Sequence, residues 1–457
     1  MVEYLSIYES TVLDFNRGVF QASDESTDTT ERVKLPCGAA TLTGLRRHGV
    51  MRFGALRYAQ APMGQLRFAP PVPTSPHGEV DATATGPIAP QLPSALSRVL
   101  GSCEAPQSED CLHLSVWTPG TDEPTRPVVV WCHGGAWQSG GVLNWYDGEA
   151  LARRGNVVVV GVNARLGPLG WLLADGSVAN LGLLDLALAF QWVSDHIAAF
   201  GGDATRITAM GQSAGGTNVA ALLARGASTF QRAILQSAPL GRGFRSADAA
   251  RSLGRTLLRA AGVATLDQAR SLSTQALLHA QQAPEVVAAV RELADGHGLF
   301  GPVLDGETLP PLTPQAAGRV DVLAGWNRDE MRAFTALGTT SGTTSGTTSG
   351  TTPDEEEAQR RFAAPARQWA AQATQAGRQA WLYRFDGAPG MPLGACHCAE
   401  LPFVFGTLNA FASAPMLGSL HADDARRLTD DMQTAWLDFI HSRALPWAPG
   451  PQAHVFA

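Results

Sequence analysis

Along the chain, short and almost wholly apolar runs alternate with longer stretches in which apolar residues return every three or four positions. The short runs are 127–132 (PVVVWC), 157–162 (VVVVGV), 206–210 (RITAM), 321–325 (DVLAG) and 380–385 (AWLYRF). Each is too short for a stable helix and, with little or no polar alternation, reads as a strand buried on both faces. The longer stretches predict helices over 181–199, 247–278 and 424–440, the first stopping at Gly201-Gly202. A further run of good helix formers, 217–223, follows directly on strand 206–210. Strands alternating with helices imply an α/β fold, with a mixed, mostly parallel sheet covered by helices on both faces.

In such sheets the working residues gather beyond the carboxyl ends of the strands. Beyond strand 206–210 stands Gly211-Gln212-Ser213-Ala214-Gly215. A G-x-S-x-G turn between strand and helix bends sharply enough to hold a serine hydroxyl exposed and strained above the sheet. A serine hydroxyl is a weak nucleophile at neutral pH, so it requires a base, a carboxylate to orient that base, and donors for the oxyanion. Beyond strand 127–132 come His133-Gly134-Gly135-Ala136-Trp137, whose small residues let backbone N–H groups turn toward an oxyanion alongside the N–H of Ala214.

The remaining members are sought downstream, in the order serine, acid, histidine. Strand 321–325 leads into Trp326-Asn327-Arg328-Asp329-Glu330, where either Asp329 or Glu330 can be the acid. Strand 380–385 leads into a loop carrying His397. His421, His441 and His454 also follow the carboxylates but lack a preceding strand. The Cys396-His397-Cys398 cluster has neither the cysteine spacing nor the second ligand pair of a zinc site. No metal and no cofactor are expected.

Taken together, these segments resemble the type B carboxylesterases, the α/β-hydrolase family of the bacterial para-nitrobenzyl esterases and the cholinesterases. The resemblance runs from near Gly38 almost to the C-terminus, through SEDCLHLSVWTP at 108–119, HGGAW, NARLGPLGWL at 163–172, GQSAGG, AILQS at 233–237, GWNRDE and CHCAELPFVFG. It implies a serine carboxylesterase working through an acyl-enzyme on small ester substrates, with Ser213 as nucleophile, Glu330 as acid and His397 as base. It also implies Gly135, Ala136 and Ala214 as oxyanion donors, and two structural ion pairs, Arg67 with Glu109 and Arg165 with Asp185. Gln212 departs from the glutamate usual before the nucleophile, which removes a partner for cationic substrates. The alternative is a catalytically weakened or non-catalytic binding protein on the same fold.

A net charge of −7 argues against nucleic acid or an anionic membrane as partner. The opening residues carry Glu3, Glu9 and Asp14 and lack the basic flank and apolar core of a signal peptide, and no run is long enough to span a membrane. The expected location is cytoplasmic, with the six cysteines reduced. Residues 1–34 read as a disordered extension and 35–457 as a single domain. Within it, 338–352 (GTTSGTTSGTTSGTT) can bury no apolar side chain and reads as a flexible linker.

Overall fold

The computed structural model describes residues 30–122, 124–338 and 352–457. Twelve strands among them form one sheet: β1 (Glu31–Cys37), β2 (Ala39–Arg47), β3 (Val50–Arg57), β4 (His77–Asp81), β5 (His113–Thr118), β6 (Arg126–Cys132), β7 (Val158–Val162), β8 (Gly202–Gln212), β9 (Arg232–Gln236), β10 (Asp321–Asn327), β11 (Ala380–Phe385) and β12 (Ala453–Phe456). Their order is β1-β2-β3-β5-β7-β6-β8-β9-β10-β11-β12, with β4 beside β2. From β1 through β5 to β7 the neighbours on this path are antiparallel. From β7 through β6 to β12 every pair is parallel. The α/β class and the mostly parallel centre agree with the apolar runs.

The alternation of side chains across the pleat divides the core in two. Val128, Val130 and Cys132 of β6 join Leu186, Ala189, Phe190 and Val193 of the helix Leu181–His196. Val129 and Trp131 of the same strand join Met432, Trp436 and Ile440 of the helix Ala422–His441. Every residue of β7 is buried, as a strand covered on both faces requires. Helix Leu181–His196 passes into a 3-10 turn, Ile197–Phe200, and ends at Gly201, whose φ of +76° is the left-handed cap expected of glycine.

Three expectations need correction. The helix predicted over 247–278 is three helices, Ala247–Ala260, Leu266–Arg270 and Thr274–Ala280. Gly262 turns the chain at φ +78°, Thr265 and Gln268 form a capping box, and Ser273 caps the third helix. Strand β10 continues through Trp326 and Asn327 rather than ending at Gly325. Strand β1 begins at Glu31 and pairs with β2, so 31–34 do not belong to the N-terminal extension; residues 1–29 of that extension lie outside the described residues. The repeat likewise lies outside them, apart from its end residues Gly338 and Thr352.

Candidate active site

β8 delivers Ser213 into a turn that only glycines permit. A Cβ on Gly211 would sit 2.5 Å from backbone atoms of Gly215, and one on Gly215 would sit 1.9 Å from the Cys132 carbonyl oxygen. Ser213 itself holds φ +55° and ψ −124°, a conformation side chains rarely adopt. Its N–H donates to the Gln236 carbonyl at 2.8 Å, which locks the turn to β9. Helix Ala214–Ala224 begins at the next residue, leaving the Ala214 N–H at the first helical turn, where backbone donors have no intrahelical partner.

The loops after β10 and β11 converge on this serine. Nε2 of His397 lies 2.9 Å from Ser213 Oγ, and Nδ1 lies 2.5 Å from Glu330 Oε2. Glu330 Oε1 accepts from the Asn327 N–H at 2.8 Å. His397 and Glu330 are buried, and the rings of Phe334 and Phe362 lie 5.1 and 5.3 Å from the imidazole. With Glu330 accepting from Nδ1–H, the lone pair of Nε2 faces the serine hydroxyl. Asp329 points elsewhere, accepting from the Ala395 N–H at 3.0 Å and pairing with Arg328 at 2.9 Å.

Burial favours the neutral imidazole, yet Cys398 and the Glu330 carboxylate beside it outweigh burial and hold His397 well above the ordinary histidine value. Burial also pushes the Cys398 thiol up and so keeps it protonated, which leaves Glu330 as the lasting charge. A second carboxyl stands behind: Glu400, pushed up by burial and then by Glu330, accepts from Asn327 Nδ2 at 2.7 Å. That same Nδ2 also donates to the Cys396 carbonyl at 2.7 Å, so Asn327 ties β10 to the histidine loop. The reading of the sequence gives Asn327 and Glu400 no role and weighs Cys398 only within a cluster rejected as a zinc site; nearness in sequence to Glu330 and His397 is the signal it offers for them.

After β6 the chain passes through consecutive positive φ angles at Gly135 (+110°), Ala136 (+54°) and Trp137 (+60°). Among the described residues no acceptor takes the Gly135 or Ala136 N–H. The Gly135 carbonyl meanwhile accepts from Gln138 and Ser139 N–H at 3.0 Å, and Trp137 Nε1 donates to Asn218 Oδ1 at 2.9 Å, which fixes the turn. Gly134 packs so closely that a Cβ there would be 2.7 Å from Gln212 Oε1 and 3.2 Å from Ser213 Cβ. A cavity of about 490 Å³ opens beside this turn, lined in part by Gly134, Gly135, Tyr146, Gln212 and Cys398.

The two expected ion pairs are formed. Arg165 Nε and Nη2 hold Asp185 at 2.8 and 2.6 Å, and Nη1 donates to the Ala69 carbonyl at 2.7 Å. Arg67 Nε donates to Glu109 at 2.7 Å and Nη1 to the Leu272 carbonyl at 2.6 Å. Among the described residues no group of three or more His, Cys, Asp or Glu is placed to hold a metal ion, and no helix is long and apolar enough to cross a membrane.

Residues 29–359 match the family described as the carboxylesterase family. The chain is 38% identical to a protein of Rhodococcus erythropolis named probable N-octanoylanthranilate hydrolase, over 85% of this chain and 88% of that one. It is 36% identical to the para-nitrobenzyl esterase of Bacillus subtilis, over 87% of each. Among solved structures, a thermophilic para-nitrobenzyl esterase superposes with a TM-score of 0.78 at 31% identity, covering 90% of this chain and 91% of that one.

Proposed function

The chain belongs to the carboxylesterase family and is a serine carboxylesterase acting on small ester substrates, and we propose that Ser213, His397 and Glu330 carry its reaction. Ser213 Oγ attacks the ester carbonyl carbon while His397 Nε2 takes its proton; Glu330 keeps hold of Nδ1–H and stabilises the imidazolium. The carbonyl oxygen, now negative, is received by the N–H groups of Gly135, Ala136 and Ala214. Collapse expels the alcohol, whose oxygen takes the proton from His397, and leaves an acyl group on Ser213. Water, deprotonated by the same imidazole, then attacks the acyl carbon; the bond to Ser213 Oγ breaks, Oγ takes the proton back from His397, and the acid is released.

The observation that carries this reading is the unbroken chain from Ser213 Oγ through the imidazole to Glu330, at 2.9 and 2.5 Å. In the wall of the cavity beside the oxyanion turn, position 212 carries an amide and Glu104 is the lining carboxylate, so a cationic ester is expected to find no anionic partner at position 212.

Hydrolysis of para-nitrophenyl acetate tests it. Ser213→Ala should lower turnover by about a millionfold, because the three groups act as one unit. An organophosphate should label wild-type Ser213 stoichiometrically. A folded alanine variant with near-normal turnover would overturn the assignment.

A further inference from the structure

The residue after His397 has a side chain that its backbone does not suit. Cys398 holds φ +74°, a left-handed conformation that glycine takes freely and other residues take under strain. Its thiol is buried all the same, in the cavity wall shared with Gly134, Gly135 and Gln212. There Sγ accepts a hydrogen bond from Gln212 Nε2 at 3.2 Å. That amide nitrogen is also 3.3 Å from His397 Nε2, which Ser213 Oγ approaches to 2.9 Å.

The neutral imidazole, with Nδ1–H given to Glu330, has one lone pair at Nε2. The Ser213 hydroxyl and the Gln212 amide both approach it, at 2.9 and 3.3 Å. Only the hydroxyl becomes a nucleophile when its proton is taken; an amide bound there blocks the base. The sulfur offers the amide a second acceptor beside the imidazole.

We propose that Cys398 is a positioning residue of the esterase reaction, its sulfur drawing the Gln212 amide aside so that the His397 lone pair stays with Ser213. This rests on His397 being the base, and it gives the strained side chain a purpose in the site. Cys398 acts through Gln212 and does not exchange protons or acyl groups itself.

The test is a double-mutant cycle on para-nitrophenyl acetate, with folding followed by thermal unfolding. Cys398→Gly relieves the left-handed strain, so its Tm should equal or exceed that of the wild type. Its kcat should nonetheless fall on the order of tenfold, a fraction of what a positioned base contributes, while KM stays nearly unchanged. Cys398→Ala, which keeps the Cβ and removes only the sulfur, should show the same loss. Adding Gln212→Met to Cys398→Gly removes the competing donor and should restore most of kcat, a strongly non-additive result. Wild-type kcat in both Cys398 variants, or a loss that Gln212→Met fails to relieve, would overturn the proposal. Failure of the underlying assignment reads differently, because Ser213→Ala would then remain active.

Discussion

Two buried charge clusters of this enzyme differ in how they end: one is closed on itself, while the other runs out to a serine hydroxyl. In the Arg165–Asp185 pair each guanidinium nitrogen and both carboxylate oxygens are engaged: Asp185 receives three hydrogen bonds from Arg165, including one from its backbone N–H at 3.1 Å, and the remaining guanidinium arm is tied to Ala69. Asp185 raises the Arg165 guanidinium despite its burial, so no proton can leave. In the second cluster Glu330 is equally well held, by the Asn327 N–H and the imidazole. Its chain ends, however, on the hydroxyl of a serine held in a strained turn, opposite backbone N–H groups that nothing among the described residues occupies. A buried, fully hydrogen-bonded carboxylate gives rigidity in both places. Under the proposed roles, the chemistry belongs to the network left one acceptor short.

The sharpest way to break this comparison is to remove the charge from the second cluster while keeping its shape. Glu330→Gln should lower turnover by about 10⁴-fold, since the imidazole loses both its orienting acceptor and the charge that stabilises its protonated form. Asp329→Asn, one residue away, should leave turnover nearly intact and loosen the loop, because Asp329 binds Ala395 and Arg328 rather than the imidazole. Steady-state kinetics on the two folded variants decides. Equal losses would mean that the buried position of Glu330 is not what matters.

The saturated cluster should respond in stability instead. Asp185→Ala leaves the Arg165 guanidinium buried without its partner, and breaking such a pair costs about 3–5 kcal/mol. Urea unfolding should record that loss, while kcat per folded molecule changes by less than an order of magnitude. A variant of normal stability and abolished turnover would exchange the roles assigned to the two clusters.

How much of this was open to reading from the sequence depends on whether a feature is local. The loops bearing Ser213, His397 and Glu330 are legible because each follows an apolar run, and the close approaches at Gly211 and Gly215 explain why glycines flank the serine. The breaks within 247–278 are not, because apolar periodicity continues across them while the caps at Thr265 and Ser273 decide the geometry. The triad's support is legible only in part: Asn327 and Glu400 lie 73 positions apart and meet because β10 and β11 are neighbours. Cys398 hides for another reason, since only its positive φ distinguishes it from an ordinary buried thiol.

A smaller effect sharpens the comparison from the side of the substrate. A carboxylate at position 212 would lie beside Nε2 of His397, where the Gln212 amide is now 3.3 Å away. It would stabilise the imidazolium together with Glu330, which already opposes burial there. Catalysis needs the neutral imidazole, so in Gln212→Glu the acidic limb of kcat/KM should move to higher pH. Activity below neutrality should fall severalfold, and choline esters should gain on neutral ones. An unmoved limb with unchanged selectivity would show that residue 212 does not sense the imidazolium.

The smallest effect is expected in the repeat that lies, in sequence, between Glu330 and His397. The segment consists of glycine, serine and threonine alone, so it has no apolar surface to contribute to either half of the core. Its flanks are already held together by the structure itself: Thr335 Oγ1 donates to Asp354 Oδ2 at 2.9 Å, and Thr352 forms a capping box with Glu355 that starts the next helix. The loop therefore closes a gap that other bonds define, and its closure entropy varies only with the logarithm of its length, about 0.6 kcal/mol per doubling. Removing one four-residue unit from within 339–351 should shift Tm by no more than about 2–3 °C and leave turnover on a small ester intact. Should a folded variant lacking one unit lose activity, the segment would have to supply part of the wall around Ser213, and a third region would join the two compared here.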